Sequence, residues 1–232
     1  MAPRLEEIAP SVGGDVFDEY GRVIGVLVSF SSNVDGFVEY VEVKITDRGI
    51  ERIEGDRIKV KDGKVIAIPV WKHNAVQLIE ALDRAYRRRK ALESISGNEL
   101  PADVVDKLRR KLDDEIKKLK IKAEESKKEI KKRIDEIDDE SLHVASAIAL
   151  LQMTYFAGEV SERNYTRGMN HLRKLKNSLA DEKEDAKKVL DKLEKTIEAA
   201  TITREPVKKP VQENITAQPP KKSDTLMVKI ED

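Results

Sequence analysis

From Val105 to Tyr155 an apolar or small side chain recurs every three or four residues. The seam runs Val105, Leu108, Leu112, Ile116, Leu119, Ala123, Ser126, Ile130, Ile134, Ile137, Ser141, Val144, Ile148, Leu151 and Tyr155. Fourteen steps span fifty residues, a mean of 3.57. That lies close to the 3.5 of a left-handed coiled coil, and two 4-4 steps act as stutters that locally unwind it. A helix over 101–157 would be about 85 Å long. With charged residues at 38% of the chain and aromatics at 4%, its outer faces are solvated and its seam needs a partner helix.

The chain supplies that partner. Gly158 suits the position just past a helix end and Ser161 suits an N-cap. Beyond them Tyr165, Met169, Leu172, Leu175, Leu179, Ala186, Leu190, Leu193, Ile197 and Ala200 form a second stripe. A short link between two long amphipathic helices predicts an antiparallel hairpin over 101–157 and 161–200. The later helix is the shorter. It leaves residues near 101–117, or the helix before them, to pack on another chain or on the N-terminal domain. That earlier helix is expected over 73–96, with Val76, Ile79, Leu82, Tyr86, Leu92 and Ile95 on one face. Pro101 suits the first helical position of the long helix. Ala123, Ser126 and Ser141 are weak seam positions that set register.

Residues 1–71 have a different period. Short runs rich in Val, Ile and Phe alternate with turn residues, at 12–18, 23–31, 37–46, 52–53, 58–60 and 65–70. Asp62-Gly63 fits a type I′ hairpin turn. Several strands with no helix between them predict a small closed or nearly closed β-barrel. Gly21 is expected at positive φ in a turn, and Gly25 is expected to allow close strand approach. The fold class is therefore α+β multidomain: an N-terminal β-barrel, a helical coiled-coil region over 72–200, and a tail.

The tail divides at residue 225. Residues 201–224 hold Pro206, Pro210, Pro219 and Pro220 with two lysine pairs, a polar linker too poor in apolar groups to fold. The last eight residues then alternate, with Leu226, Val228 and Ile230 on one face. A lone strand is unstable but can extend a partner's sheet through Thr225, Leu226, Met227, Val228, Lys229 and Ile230.

Charge is balanced overall, 44 basic against 44 acidic side chains, but unevenly placed. Residues 72–133 carry 19 basic and 12 acidic side chains, between two blocks that are each net −4. The cluster Arg84, Arg87, Arg88, Arg89 and Lys90 lies in that basic middle, with the stretch from Lys107 to Arg133. Four readings remain open: a solvated face, pairing with a neighbour's acidic block, contact with DNA phosphates, or contact with anionic lipid.

Catalysis is not expected. With no cysteine, thiolate metal sites, cysteine nucleophiles and disulfide scaffolds are excluded. His73, His143 and His171 lack metal-ligand spacing, and no phosphate-binding loop, dinucleotide fingerprint or nucleophile elbow occurs. Neither a cofactor nor a metal is expected. The longest apolar stretches, Val23–Phe30 and Val144–Met153, fall short of the roughly 20 residues of a membrane span. The opening Met-Ala-Pro-Arg carries no signal-peptide pattern, and Ala2 stands where myristoylation needs glycine.

Two resemblances carry the reading further. The run from Gly14 to Val28, with Asp18-Glu19-Tyr20-Gly21 ahead of Ile24-Gly25-Val26-Leu27, resembles the opening of a PRC barrel, a binding and assembly module. Taken whole, the order of parts resembles the archaeal CdvA family of the ESCRT-linked Cdv division system. The supporting pieces are Asp18-Glu19-Tyr20-Gly21-Arg22, Pro69-Val70-Trp71-Lys72, Arg89-Lys90-Ala91-Leu92-Glu93 and Tyr155-Phe156-Ala157-Gly158-Glu159. That resemblance implies a non-enzymatic scaffold that forms homo-oligomers or polymers and is associated with DNA and membrane. It also implies recruitment of an ESCRT-III homologue, whose winged-helix domain takes the C-terminal segment, here 225–230, by strand addition. The implied location is cytoplasmic, at mid-cell on the inner face of the membrane or on the nucleoid.

Overall fold

In the computed structural model, which describes residues 2–45, 49–95 and 101–202, a β-sheet domain is followed by three helices. After a short helix α1 (Leu5–Ile8) come six strands: β1 (Asp15–Asp18), β2 (Val23–Ser32), β3 (Val38–Ile45), β4 (Gly49–Glu54), β5 (Ile58–Lys61) and β6 (Lys64–Ala67). Their order in the sheet is β4-β3-β2-β1-β6-β5, with β1 and β6 parallel and the other neighbours antiparallel.

The expected closed or nearly closed barrel is a six-stranded sheet folded around one core and not closed by strand pairing among the described residues. Among the described residues, the edge strands β4 and β5 are not paired with each other. They follow one another in the chain, and the 3-10 turn Gly55–Arg57 between them makes a corner, not a hairpin. Ile53 of β4 and Ile58 of β5 nevertheless share a buried cluster with Val16, Leu27, Val41 and Val65. Ile8 of α1 is fully buried in the same cluster. Asp62 and Gly63 both have positive φ, 51° and 71°, as a type I′ turn requires. At Gly25 a Cβ would lie 2.5 Å from the carbonyl oxygen of Lys44, so the close approach to β3 is real.

Some strand limits move. β1 begins at Asp15, not residue 12, because the chain up to Gly14 is still turning. β6 stops at Ala67, and Val70 is already the first residue of a helix. The link is fixed by Arg57, whose guanidinium donates to the Ile68 carbonyl at 3.0 and 3.1 Å while the Ile68 N–H returns to the Arg57 carbonyl.

The helices are α2 (Val70–Ile95), α3 (Ala102–Phe156) and α4 (Glu162–Ile202). Of the fifteen expected seam positions on α3, only Leu108 is exposed. α3 ends in a Schellman motif: Gly158 at φ +78°, with N–H donors of Gly158 and Glu159 returning to the carbonyls of Tyr155 and Thr154. The Ser161 hydroxyl accepts from the Asn164 N–H to start α4. Tyr155 and Tyr165 stack across the turn with ring centroids 4.2 Å apart.

α2 corrects one expectation. It packs on α3 and α4 of its own chain, so the segment near 101–117 does not wait for a neighbour. Trp71, Ala75, Ile79 and Leu82 form one core with Ala123, Ile130, Ala186, Val189 and Leu193. Val76 and Ile95, expected on the buried face, are 39% and 46% exposed. The docking face is Trp71, Ala75, Ile79, Leu82, Ala85 and Leu92: it keeps Ile79, Leu82 and Leu92 of the expected stripe and adds Trp71 and two alanines in place of Val76 and Ile95. The molecule thus has a three-helix proximal half and a two-helix distal arm, the latter held by Ile137, Val144, Leu179, Ile148 and Leu172.

Candidate functional site

The sheet meets the helices through a polar junction built on the β1–β2 turn. Asp18 shapes that turn: its Oδ1 accepts from the N–H groups of Tyr20 and Arg22 at 2.9 and 2.8 Å. Gly21 supplies the positive φ, +80°, that closes it. The turn aims Tyr20 and Arg22 at α4. The Tyr20 hydroxyl donates to Asp185 at 2.8 Å, and the Ser178 hydroxyl donates to the Tyr20 carbonyl at 2.8 Å. Burial, and then the hydrogen bond to Asp185, push the Tyr20 phenol far above its usual range.

Glu182 is the centre of the junction. Its side chain is 2% exposed, in the seam position between Leu179 and Ala186. Arg22 donates to it at 2.6 Å from the sheet, and Arg133 of α3 donates at 2.8 and 3.0 Å. Burial alone would raise its carboxyl. The hydrogen bonds from Arg133 and the charge of Arg22 outweigh burial and hold it below the usual carboxylate range. Arg133 is raised in turn, chiefly by its hydrogen bond to Glu182. Lys72 of α2 bridges Glu19 and Asp185, at 2.8 Å to each. One carboxylate shared by two guanidiniums therefore ties sheet, α3 and α4 together. These groups are engaged with one another, so the junction orients domains and presents no nucleophile or open ligand position.

Sequence reasoning missed this site. Tyr20 and Arg22 read as part of a turn, and Glu182 reads as one charge among many. The available signal was the gap in the α4 stripe: the seven residues from Leu179 to Ala186 require a seam position at 182, and it is a glutamate.

The structure breaks up the basic cluster expected on α2. Arg89 is absorbed into the α2–α3 contact, pairing with Asp113 at 2.8 Å and with Glu93. Arg84 pairs with Glu80, and Arg87 Nε donates to its own helix at the Asp83 carbonyl. Arg88 and Lys90 are exposed. The exposed lysines and arginines of proximal α3 alternate with Asp106, Asp114, Glu115, Glu124 and Glu125, so they form no patch of one sign. The least interrupted basic face lies at the start of α4, where Arg163, Arg167 and Lys174 line a shallow depression with His171. No acidic residue occurs from 163 to 176. The expected strand Thr225–Ile230 lies outside the described residues.

Among the described residues, no group of His, Asp and Glu side chains is placed to hold a metal ion. No described helix is long and apolar enough to cross a membrane.

Comparison with known proteins adds three findings. The CdvA-like coiled-coil domain family matches residues 70–215, starting at the first residue of α2. Cell division protein A of Sulfolobus acidocaldarius is 30% identical over 195 residues, covering 84% of this chain and 82% of that protein. No solved structure matches significantly.

Proposed function

Because this chain belongs to the CdvA-like coiled-coil family, we propose that it is a non-enzymatic, self-assembling scaffold of archaeal cell division. In this reading its terminal segment recruits an ESCRT-III homologue to the division site, on the inner face of the membrane at mid-cell. The carrying observation is the division of labour along the chain. The described sheet and helices are locked together by buried ion pairs. Beyond them, a proline-spaced stretch leads to an alternating apolar segment.

Leu226, Val228 and Ile230 would enter pockets of the winged-helix domain while the backbone of 225–230 extends its sheet. Many tails on one polymer would strengthen a weak single contact through effective concentration. The test is deletion of 225–232, with calorimetric titration against the partner's winged-helix domain and sedimentation of the same protein. Binding should vanish while sedimentation is unchanged. Full affinity in the truncated protein would contradict the reading.

A nucleic-acid role for the basic face is the second reading. The uninterrupted run from Arg163 to Lys176 favours the start of α4 over Arg87, Arg88 and Lys90 as its seat. Binding there would fall steeply with salt and ignore base sequence.

A further inference from the structure

The last turns of α3 differ from the rest of the helix. From Ser141 to Gly158 there is no charged residue. On the face opposite the seam to α4, Leu142, Ser146, Ala149, Met153 and Phe156 follow one another at steps of 4, 3, 4 and 3. That is two strict heptads, about four helical turns. Its large members stand in solvent: Leu142 is 66% exposed, Met153 61% and Phe156 81%, with Leu150 beside them at 58%. A solvent-facing heptad of this kind is an unpaired coiled-coil seam, not a scatter of surface apolar residues.

We propose that this stripe pairs with the same stripe of a second copy, antiparallel about a two-fold axis at Ala149. Three observations select that occupant. First, the heptad spacing fits a helix. Second, the stripe carries no charge, so two identical stripes meet without like-charge opposition, as a self-complementary two-fold contact requires. Third, no lysine or arginine flanks the stripe on its own helix, since none occurs from Ser141 to Gly158. A helix lying on a lipid surface carries its cations beside the apolar face instead.

Size matching sets the direction. In the antiparallel register Ala149 meets Ala149, Ser146 meets Met153, and Leu142 meets Phe156. Small faces large, and the alanines let the helices close at the axis. A parallel pairing would set phenylalanine on phenylalanine and serine on serine. The seam is roughly 21 Å long on helices about 10 Å wide. That falls well below the roughly 1,200 Å² total of a stable interface. The contact therefore joins copies already held in an assembly, and in this respect it rests on the self-assembly reading above.

The chain has no cysteine, which makes a clean test. Ala149→Cys and, on the opposite side of the arm, Thr166→Cys are made in the full-length protein. Each is oxidised mildly under conditions where the protein is also sedimented. Ala149→Cys should form covalent dimer at least ten times faster than Thr166→Cys. Adding Met153→Lys and Phe156→Lys should abolish that difference without lowering the melting temperature. Equal cross-linking at the two sites overturns the proposal. If the protein then still pellets, only the surface is wrong; if it also fails to pellet, the self-assembly reading fails too. Binding to phosphatidylglycerol vesicles that the two lysines abolish, with no preferential cross-linking at Ala149→Cys, would make lipid the occupant and equally overturn it.

Discussion

α3 passes through two environments. Along its proximal half it is one of three helices, with a charged outer face and ion pairs to its neighbours: Arg89 of α2 reaches Asp113, Lys127 reaches Glu194, and Arg133 reaches Glu182. In its last turns it has one partner helix and an uncharged outer face. The seam toward α4 runs on through both halves, with its two 4-4 steps in the proximal one. The difference teaches that the inner period specifies a hairpin and nothing more. What the outer face carries decides whether a segment is finished within the chain or left for another molecule.

The strongest challenge to this contrast is Glu182→Ala. It removes the carboxylate that neutralises two guanidiniums at the boundary between the halves. Breaking a buried pair costs about 3–5 kcal/mol, and Arg22 and Arg133 retain enough solvent contact to place the loss near about 3. Urea denaturation should show this, and amide exchange should rise in the β1–β2 turn. An unchanged midpoint would mean that the sheet is held by something else.

A matched pair sharpens the contrast. Ile130 lies in the three-helix core and Ile137 in the two-helix arm, and both are fully buried. Ile130→Ala should cost about 3–4 kcal/mol, because three helices cannot easily close on the cavity. Ile137→Ala should cost about 2, because two helices can move together. Equal losses by urea denaturation would erase the distinction between the halves.

The pH dependence follows from the direction of the Glu182 shift. A carboxyl held below its ordinary value stabilises the fold fully above the unfolded carboxylate pKa, and that stability is lost as pH falls through the lower folded value. The urea midpoint should therefore decline below about pH 4.5, and Glu182→Gln should decline less steeply over the same interval. A decline as steep in the variant would assign it to other carboxylates.

The smallest expected effect is a gain. Ser126 of α3 is 4% exposed, and its hydroxyl has no hydrogen-bond partner among the described residues. Ser126→Ala should raise stability by up to about 1 kcal/mol. A loss on thermal melting would show that the hydroxyl is satisfied.

What could be read in advance follows the range of the interaction. The α3 seam, the Gly158 and Ser161 signals and the Asp62-Gly63 turn are local patterns, and the structure contains them. On α2, Ile79, Leu82 and Leu92 were legible as buried, and the alanine edge of the face was not. Its docking face uses Ala75 and Ala85, and apolar periodicity passes over alanines in favour of Val76 and Ile95. Arg22 and Glu182 are 160 residues apart, and no local pattern links them. Whether the barrel closes stayed open, because strand count says nothing about how the chain turns the corner at Gly55–Arg57.

The proposed function requires that this chain build an assembly by itself. Sedimentation of the pure full-length protein without DNA, at low and moderate salt and with negative-stain images of the pellet, tests it most directly. Polymers should pellet at both salt concentrations. A monomer or dimer under every condition, or polymers only when DNA is added, would contradict it.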